Sequence, residues 1–226
     1  PKNARKTYTE PAGPDTDALP ELPEGWAWAS LQQIAFISGG ATVDKKRKPA
    51  DPVEVPYLRV ANVQRGSLDL SVLKTIPIDR AKLPDLLLRG GDILLNEGGD
   101  RDKVGRGWIW EGQVDICAHQ NHVFKARPVS DVIEPRLVSM YLNELGRRFF
   151  LDESKQTTNL ASISLTKVSQ APVAVPPVME AAAIIAELEA LSENEIGEIA
   201  LTNLSDTANQ LRQSILAAAF RGELAQ

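Results

Sequence analysis

Cysteine is all but absent: Cys117 is the only one in 226 residues. One thiol excludes an intramolecular disulfide framework and fits a reducing compartment, with the cytoplasm as the default expectation. No apolar run approaches the roughly eighteen residues of a bilayer-spanning helix, so no membrane partner is expected. No basic-then-apolar N-terminal stretch reads as a signal peptide. The chain opens on Pro1 and not on methionine, and the expectation is of a processed protein or an excised piece of a longer one.

The signatures of catalysis are missing as well. An amino-methyltransferase of DNA holds the base amino group with an Asp/Asn-Pro-Pro-aromatic loop, but Pro176-Pro177 stands between Val175 and Val178. A metal-dependent nuclease clusters carboxylates with a lysine; here Pro84-Asp85 is followed by Glu97-Gly98-Gly99 with no lysine in place. No Gly-x-x-x-x-Gly-Lys-Ser/Thr exists for ATP. Cys117, His119 and His122 invite a zinc reading. In a strand, however, positions 117 and 119 share a face and 122 lies on the other, and there is no second Cys/His cluster. A Cys–His nucleophile pair has no more support, since nothing marks an activated thiol. Small buried residues in a strand account for these three better. No catalytic or metal site is expected.

What is present is an ordinary core-forming composition, 43% hydrophobic and 24% charged, with a net charge of −5. That charge is unevenly spread. Residues 22–177 carry 20 Lys+Arg against 18 Asp+Glu, a balance of +2, whereas residues 178–226 carry 2 against 8, a balance of −6. Two parts with different jobs are implied.

Residues 1–21 hold four prolines and read as an extended linker. Ser30 is placed to cap a short helix over Leu31, Ile34 and Ala35, with Gly39-Gly40 as its stop. Short β-like segments follow at Val55–Val63, Ser71–Ile78, Asp92–Leu95, Trp108–Trp110, Val114–Cys117 and His122–Ala126. Leu137, Tyr141, Leu145 and Phe149 recur every four residues and predict a helix over Glu134–Leu151. A further short element is expected around Leu160, Ile163 and Leu165. Pro172, Pro176 and Pro177 end the domain. Beyond them neither proline nor aromatic residue occurs until Phe220, and residues 178–221 read as one long helix. Ile184, Leu188 and Leu191 make one apolar stripe on it; Leu204, Ala208, Leu211 and Ile215 make another, slipped by one residue. A helix reaching some 60 Å needs a second helix along its stripe, and that partner is expected outside this chain.

Five stretches carry a resemblance. They are Leu19–Trp26 (LPELPEGW); Pro56–Gly66 (PYLRVANVQRG); Gly91–Lys103 (GDILLNEGGDRDK) continuing through Gly105-Arg106-Gly107 to His119–His122; Thr157–Ile163 (TTNLASI) before Pro176-Pro177; and Leu211–Leu224 (LRQSILAAAFRGEL). In this order and spacing the chain resembles the specificity subunits of type I restriction-modification systems. Glu180-Ala181 departs from the Glu-Gln common in the family at the start of the helix. The resemblance implies an α/β, β-rich target recognition domain at 22–177 followed by a long coiled-coil-type helix at 178–226. A whole subunit has two of each, so this chain looks like the C-terminal half. It implies a non-catalytic protein that reads one part of a two-part target in double-stranded DNA. Its helix would pair with that of the other half, or of a second copy, and dock methyltransferase subunits. Methylation and ATP-driven cleavage, with S-adenosylmethionine, ATP and Mg²⁺, would belong to the methyltransferase and restriction subunits. No cofactor is expected in this chain.

Duplex recognition uses Lys/Arg at phosphates and Arg, Asn, Gln, Ser or Thr at base edges. The candidates are Lys45, Lys46, Arg47 and Lys48 in a loop before Pro49; Asn62, Gln64 and Arg65 after a strand; Arg101, Lys103 and Arg106 in a Gly-rich loop; and Gln156, Thr157, Thr158 and Asn159 in a polar one. Each group has a duller alternative: a solvated charge run, turn hydrogen bonding, pairing with Asp100 and Asp102, or a plain polar loop. Gln120, Asn121 and His122, at a strand start, suit structural use at least as well. Trp108 and Trp110 alternate about Ile109 and read as core rather than base-stacking platforms. The rival reading of the whole chain is a coiled-coil adaptor that never touches DNA.

Overall fold

The computed structural model describes residues 9–44, 49–158, 160–199, 214, 217, 218 and 220–222, those of 191–199 as backbone only. In chain order the first elements are β1 (Ala27–Ser30), α1 (Leu31–Ile34), β2 (Ala35–Ser38), β3 (Pro52–Leu58), β4 (Val63–Gln64), β5 (Ser67–Leu68) and β6 (Lys74–Asp79). Next come α2 (Leu83–Leu86), β7 (Asp92–Asn96), β8 (Gly98–Gly99), β9 (Gly107–Trp110), β10 (Ala118–His119) and β11 (Val123–Pro128). The remainder is α3 (Pro135–Glu144), α4 (Arg147–Glu153), β12 (Lys155–Gln156), β13 (Ala161–Ser162), α5 (Leu165–Ser169), β14 (Pro172–Val175) and α6 (Val178–Ile199). The mixed, β-rich α/β domain followed by a helix is as expected.

Four antiparallel strands in the order β2-β11-β7-β9 form the central sheet. Strand alternation sorts its residues between two layers. Ile93, Leu95, Ile109, Phe124 and Ala126 join the main core with α3 and α6, while Leu94, Trp110 and Val123 join a second cluster with Leu58, Val63 and Cys117. All five residues of β7 are buried, which is why Asp92–Asn96 reads as a nearly continuous apolar run. A smaller sheet, β10-β3-β6, has its own cluster of Val55, Tyr57, Ile76 and Ile78. Strands β1 and β14 pair from Ala27↔Val175 to Ser30↔Pro172, so the domain's two ends meet.

Several local expectations shift. Ser30 does precede α1, and its amide donates to Gln33 Oε1 at 2.9 Å, but the helix ends at once in β2 and Gly39-Gly40 terminate that strand instead. Val114–Cys117 lies outside any strand, and pairing starts at Ala118. The helix over 134–151 is broken into α3 and α4 at Leu145-Gly146, where a side chain on Gly146 would crowd Leu142 Cα at 3.0 Å. Leu145 is accordingly exposed, and the buried face of α3 is Leu137, Val138, Tyr141 and Leu142. Ser164 caps α5 by accepting from the Lys167 amide at 3.3 Å. Ser164→Ala is expected to cost about 1 kcal/mol in chemical denaturation; no change in midpoint would show the cap to be idle.

The C-terminal region brings the main correction. Ile184 and Leu188 are buried, but in the domain's own core, where α6 packs on α3 and Arg136 binds Glu189. Phe220 returns to the same core, with its ring centroid 5.2 Å from Trp26 and 4.9 Å from Tyr141. Of the long helix expected over 178–221, α6 is described from Val178 to Ile199, and residues 200–213 lie outside the described residues. The partner expected outside the chain for Ile184 and Leu188 is inside it. Leu191 lies on the α6 backbone, and Leu204, Leu211 and Ile215 lie outside the described residues. No described helix is long and apolar enough to cross a membrane.

Candidate functional site

Antiparallel pairing places four loops at one end of the central sheet. Ser38 opposes Lys125, Asn96 opposes Val123, and Leu95 opposes Gly107, so the exit of β2, the exit of β7, the start of β9 and the start of β11 lie side by side. Three of the polar segments expected to face DNA converge there. The loop after β3 is tied in by Asn96, whose amide donates to Val63 O at 2.9 Å and Val60 O at 3.3 Å. The hairpin β12–β13 adds to β8 through Ala161↔Gly99 and Ser162↔Gly98, setting Gln156–Leu160 beside the Asp100–Arg106 loop. Gly98 permits this approach: a Cβ there would sit 2.2 Å from Ala161 O.

The candidates divide by what holds them. Asn62 is 3% exposed, and its side chain is spent on the turn: Oδ1 accepts from Arg59 N at 3.0 Å while Nδ2 donates to Asp69 O at 2.8 Å and Val72 O at 3.1 Å. It presents nothing to a ligand, and the turn alternative replaces base reading here. Gln64 donates to Ala61 O at 2.6 Å. Arg65 spans from Asn143 O at 2.6 Å to Asp102 O at 3.1 Å, and burial, then the charge of Arg147, lowers its pKa. Arg106 donates to Val63 O at 3.1 Å and is likewise lowered by burial. Both guanidiniums thus pin loops, with little left over for a phosphate.

Lys103 pairs with Asp100, whose carboxyl is held below its usual range first by that hydrogen bond. Thr157 is exposed, with its hydroxyl engaged inside its own loop, donating to Leu160 O at 2.9 Å. Arg101, Gln156 and Thr158 remain exposed. Lys45–Lys48 and Asn159 lie outside the described residues, but Ala41, just before the basic run, bridges Gln120 at this same end. Two exposed cations absent from the sequence-based set stand here too: Lys155, on the hairpin, and Arg147, at the start of α4 beside Arg65. Their only signal was adjacency to polar residues, too weak to single them out. His122, facing Glu97 across the β7 exit, is a further polar group at this end.

The zinc reading finds no support in geometry. Cys117 is buried, its thiol pushed up to about 12 by burial, and His119 is engaged with Val123 O at 2.6 Å. Among the described residues no group of three His, Cys, Asp or Glu could hold a metal ion. Trp110 is core, 1% exposed.

No family model matches the chain. It is similar to the type I restriction enzyme StySPI specificity subunit of Salmonella potsdam, 29% identical over 200 residues, 87% of this chain and 43% of that one. The EcoKI specificity subunit of Escherichia coli K12 is 28% identical over 172 residues, 75% of this chain and 37% of that one. Among solved structures, a chain of a type I R-M system described for its assembly and conformational transition matches with a TM-score of 0.58 at 22% identity, over 92% of this chain and 49% of that one. The HsdS subunit of Thermoanaerobacter tengcongensis matches with 0.50 at 18% identity, over 92% and 48%. In sequence the chain is similar to specificity subunits of type I restriction enzymes, and in fold to chains of type I R-M systems. The chain spans less than half the length of the curated relatives it matches.

Proposed function

We propose that this chain is a non-catalytic half of a type I specificity subunit that reads one part of a bipartite target in double-stranded DNA. The observation that carries the reading is the convergence of the 59–66, 98–106 and 155–160 loops at one end of the central sheet, with Arg101, Arg147 and Lys155 exposed there. The exposed cations, with Lys45–Lys48, contact phosphates; Gln156, Thr158 and Asn159 are the side chains suited to base edges. The bipartite target needs a second recognition domain, from another half or a second copy. Methyltransferase and restriction subunits, directed to the site, supply S-adenosylmethionine, ATP and Mg²⁺.

Selection from a random duplex pool with the assembled enzyme tests this, followed by titrations over salt. Removing one cation from a phosphate should lower the slope of log affinity against log salt by about 0.9. Lys45→Ala, Lys46→Ala and Arg47→Ala, or Arg101→Ala with Lys155→Ala, should weaken binding to all duplexes alike. Thr158→Ala should cost about 1–3 kcal/mol on the selected duplex only, the range for one base-edge interaction. Binding without salt dependence or sequence preference would favour the adaptor reading.

A further inference from the structure

We propose that Asn143 is a positioning residue for DNA reading: from inside the domain it holds the start of β9 and, through Arg65, both loops flanking it. The proposal rests on the DNA-reading function above. Asn143 is on α3 and 3% exposed. Its Oδ1 accepts from Gly107 N at 3.0 Å, and its Nδ2 donates to Gly107 O at 2.8 Å and to Ser139 O at 2.9 Å. One side-chain amide thus satisfies both backbone groups of the first residue of β9, as a neighbouring strand would. Gly107 O also accepts from Gly66 N at 3.1 Å, so the end of the 59–66 loop is anchored at the same atom. The main-chain oxygen of Asn143 accepts from Arg65 Nη1 at 2.6 Å, and Arg65 Nη2 reaches Asp102 O at 3.1 Å.

β7 holds the residues just before, with Asn96 N donating to Arg106 O and Gly105 N to Asn96 O, both at 2.9 Å. The amide of Gly107 goes instead to Asn143, and its carbonyl to Asn143 and Gly66. A side chain at position 107 would put Cβ 1.9 Å from Leu94 O, so only glycine fits this pairing. The pattern of two acceptors on Nδ2 and a donor on Oδ1 needs an amide: a carboxylate would face two carbonyl oxygens, and alanine would leave buried polar groups unpaired. Both reading loops are thereby fixed to one rigid helix by groups that never meet DNA.

Asn143→Asp, Asn143→Ala, Arg65→Met and Arg65→Lys test the clamp. Amide exchange without DNA should show protection across residues 60–66 and 99–107 falling tenfold or more in Asn143→Asp and Arg65→Met. Amides of β3, β6 and β14 should stay unchanged, and Arg65→Lys, which can hold one of the two carbonyls, should fall between. In the assembled enzyme, discrimination of the selected duplex over random duplex should drop about tenfold with an unchanged salt slope on random duplex. Should Asn143→Ala not fold, Arg65→Met decides alone. Unaltered loop exchange in Arg65→Met and Asn143→Asp overturns the proposal. So does a salt slope lowered by about 0.9 in Arg65→Met with exchange intact, since that marks a phosphate contact. If the wild-type enzyme prefers no duplex, the DNA reading fails, while the exchange data still decide whether Asn143 positions these loops.

Discussion

Asp92→Ala is expected to destabilise the domain by roughly 3 kcal/mol in urea or thermal denaturation, the low end for breaking a buried ion pair. Asp92 is 1% exposed at the start of β7. It accepts from Arg127 Nε and Nη2, both at 2.7 Å, and from Arg89 N at 2.7 Å. Removal strands the guanidinium beside a second buried cation, Lys125, whose Nζ donates to Asp85 O at 2.8 Å. Arg127 keeps 24% side-chain exposure, so water relieves part of the cost. The pair sits at the end of the sheet away from the loops proposed to read DNA, so on that proposal cognate discrimination by the folded fraction should survive. A loss below about 1 kcal/mol would show the pair to be dispensable.

Acid should weaken the fold before most carboxylates titrate. His119 is fully buried; its Nδ1 donates to the Val123 carbonyl, its Nε2 meets no partner, and burial first of all disfavours the charged ring and lowers its pKa from 6.5 to about 4. The unfolded chain therefore binds a proton below about pH 6.5 that the folded chain refuses until about pH 4, so unfolding takes up protons and stability falls with pH across that window. Integrated over the shift the loss is on the order of 3 kcal/mol, complete near pH 4 and absent above pH 7. His119→Asn keeps a donor for Val123 O but cannot titrate. Its stability should be lower at neutral pH and nearly level between pH 6.5 and 4.5. Equal wild-type stability at pH 7 and 4.5, or an unaltered slope in the variant, would remove His119 as the cause.

Much of the architecture was legible because it depends on local periodicity. The apolar Ile93–Leu95 run, the alternation of Trp108–Trp110 and the spacing of Leu137 and Tyr141 each reflect a face that must be buried, whatever buries it. Gly98 lay in a Gly-rich stretch, and only the fold showed that it admits the Ala161 carbonyl. The candidate segments appeared as polar runs between such elements, and the sheet then set three of them together. Arg65 and Asn143, or Arg106 and Val63, are far apart in sequence, and nothing in the spacing of one announces the other. Asn62 offered the same residue type for a base edge and for a turn, and only burial chose between them. Lys155 and Arg147 gained meaning once β12–β13 and α4 were seen beside the Asp100–Arg106 loop.

The sequence by itself determined the β-rich domain with a helix after it, the absence of recognisable catalytic chemistry, and the likeness to specificity subunits. Tertiary structure decided which polar side chains are outside. It also decided that the apolar stripe of α6 at Ile184 and Leu188, with Phe220, closes on the domain's own core. The physical reason is common to both. An amphipathic face or a polar side chain specifies that a partner of a given chemistry must cover it, and only the path of the whole chain brings that partner within reach.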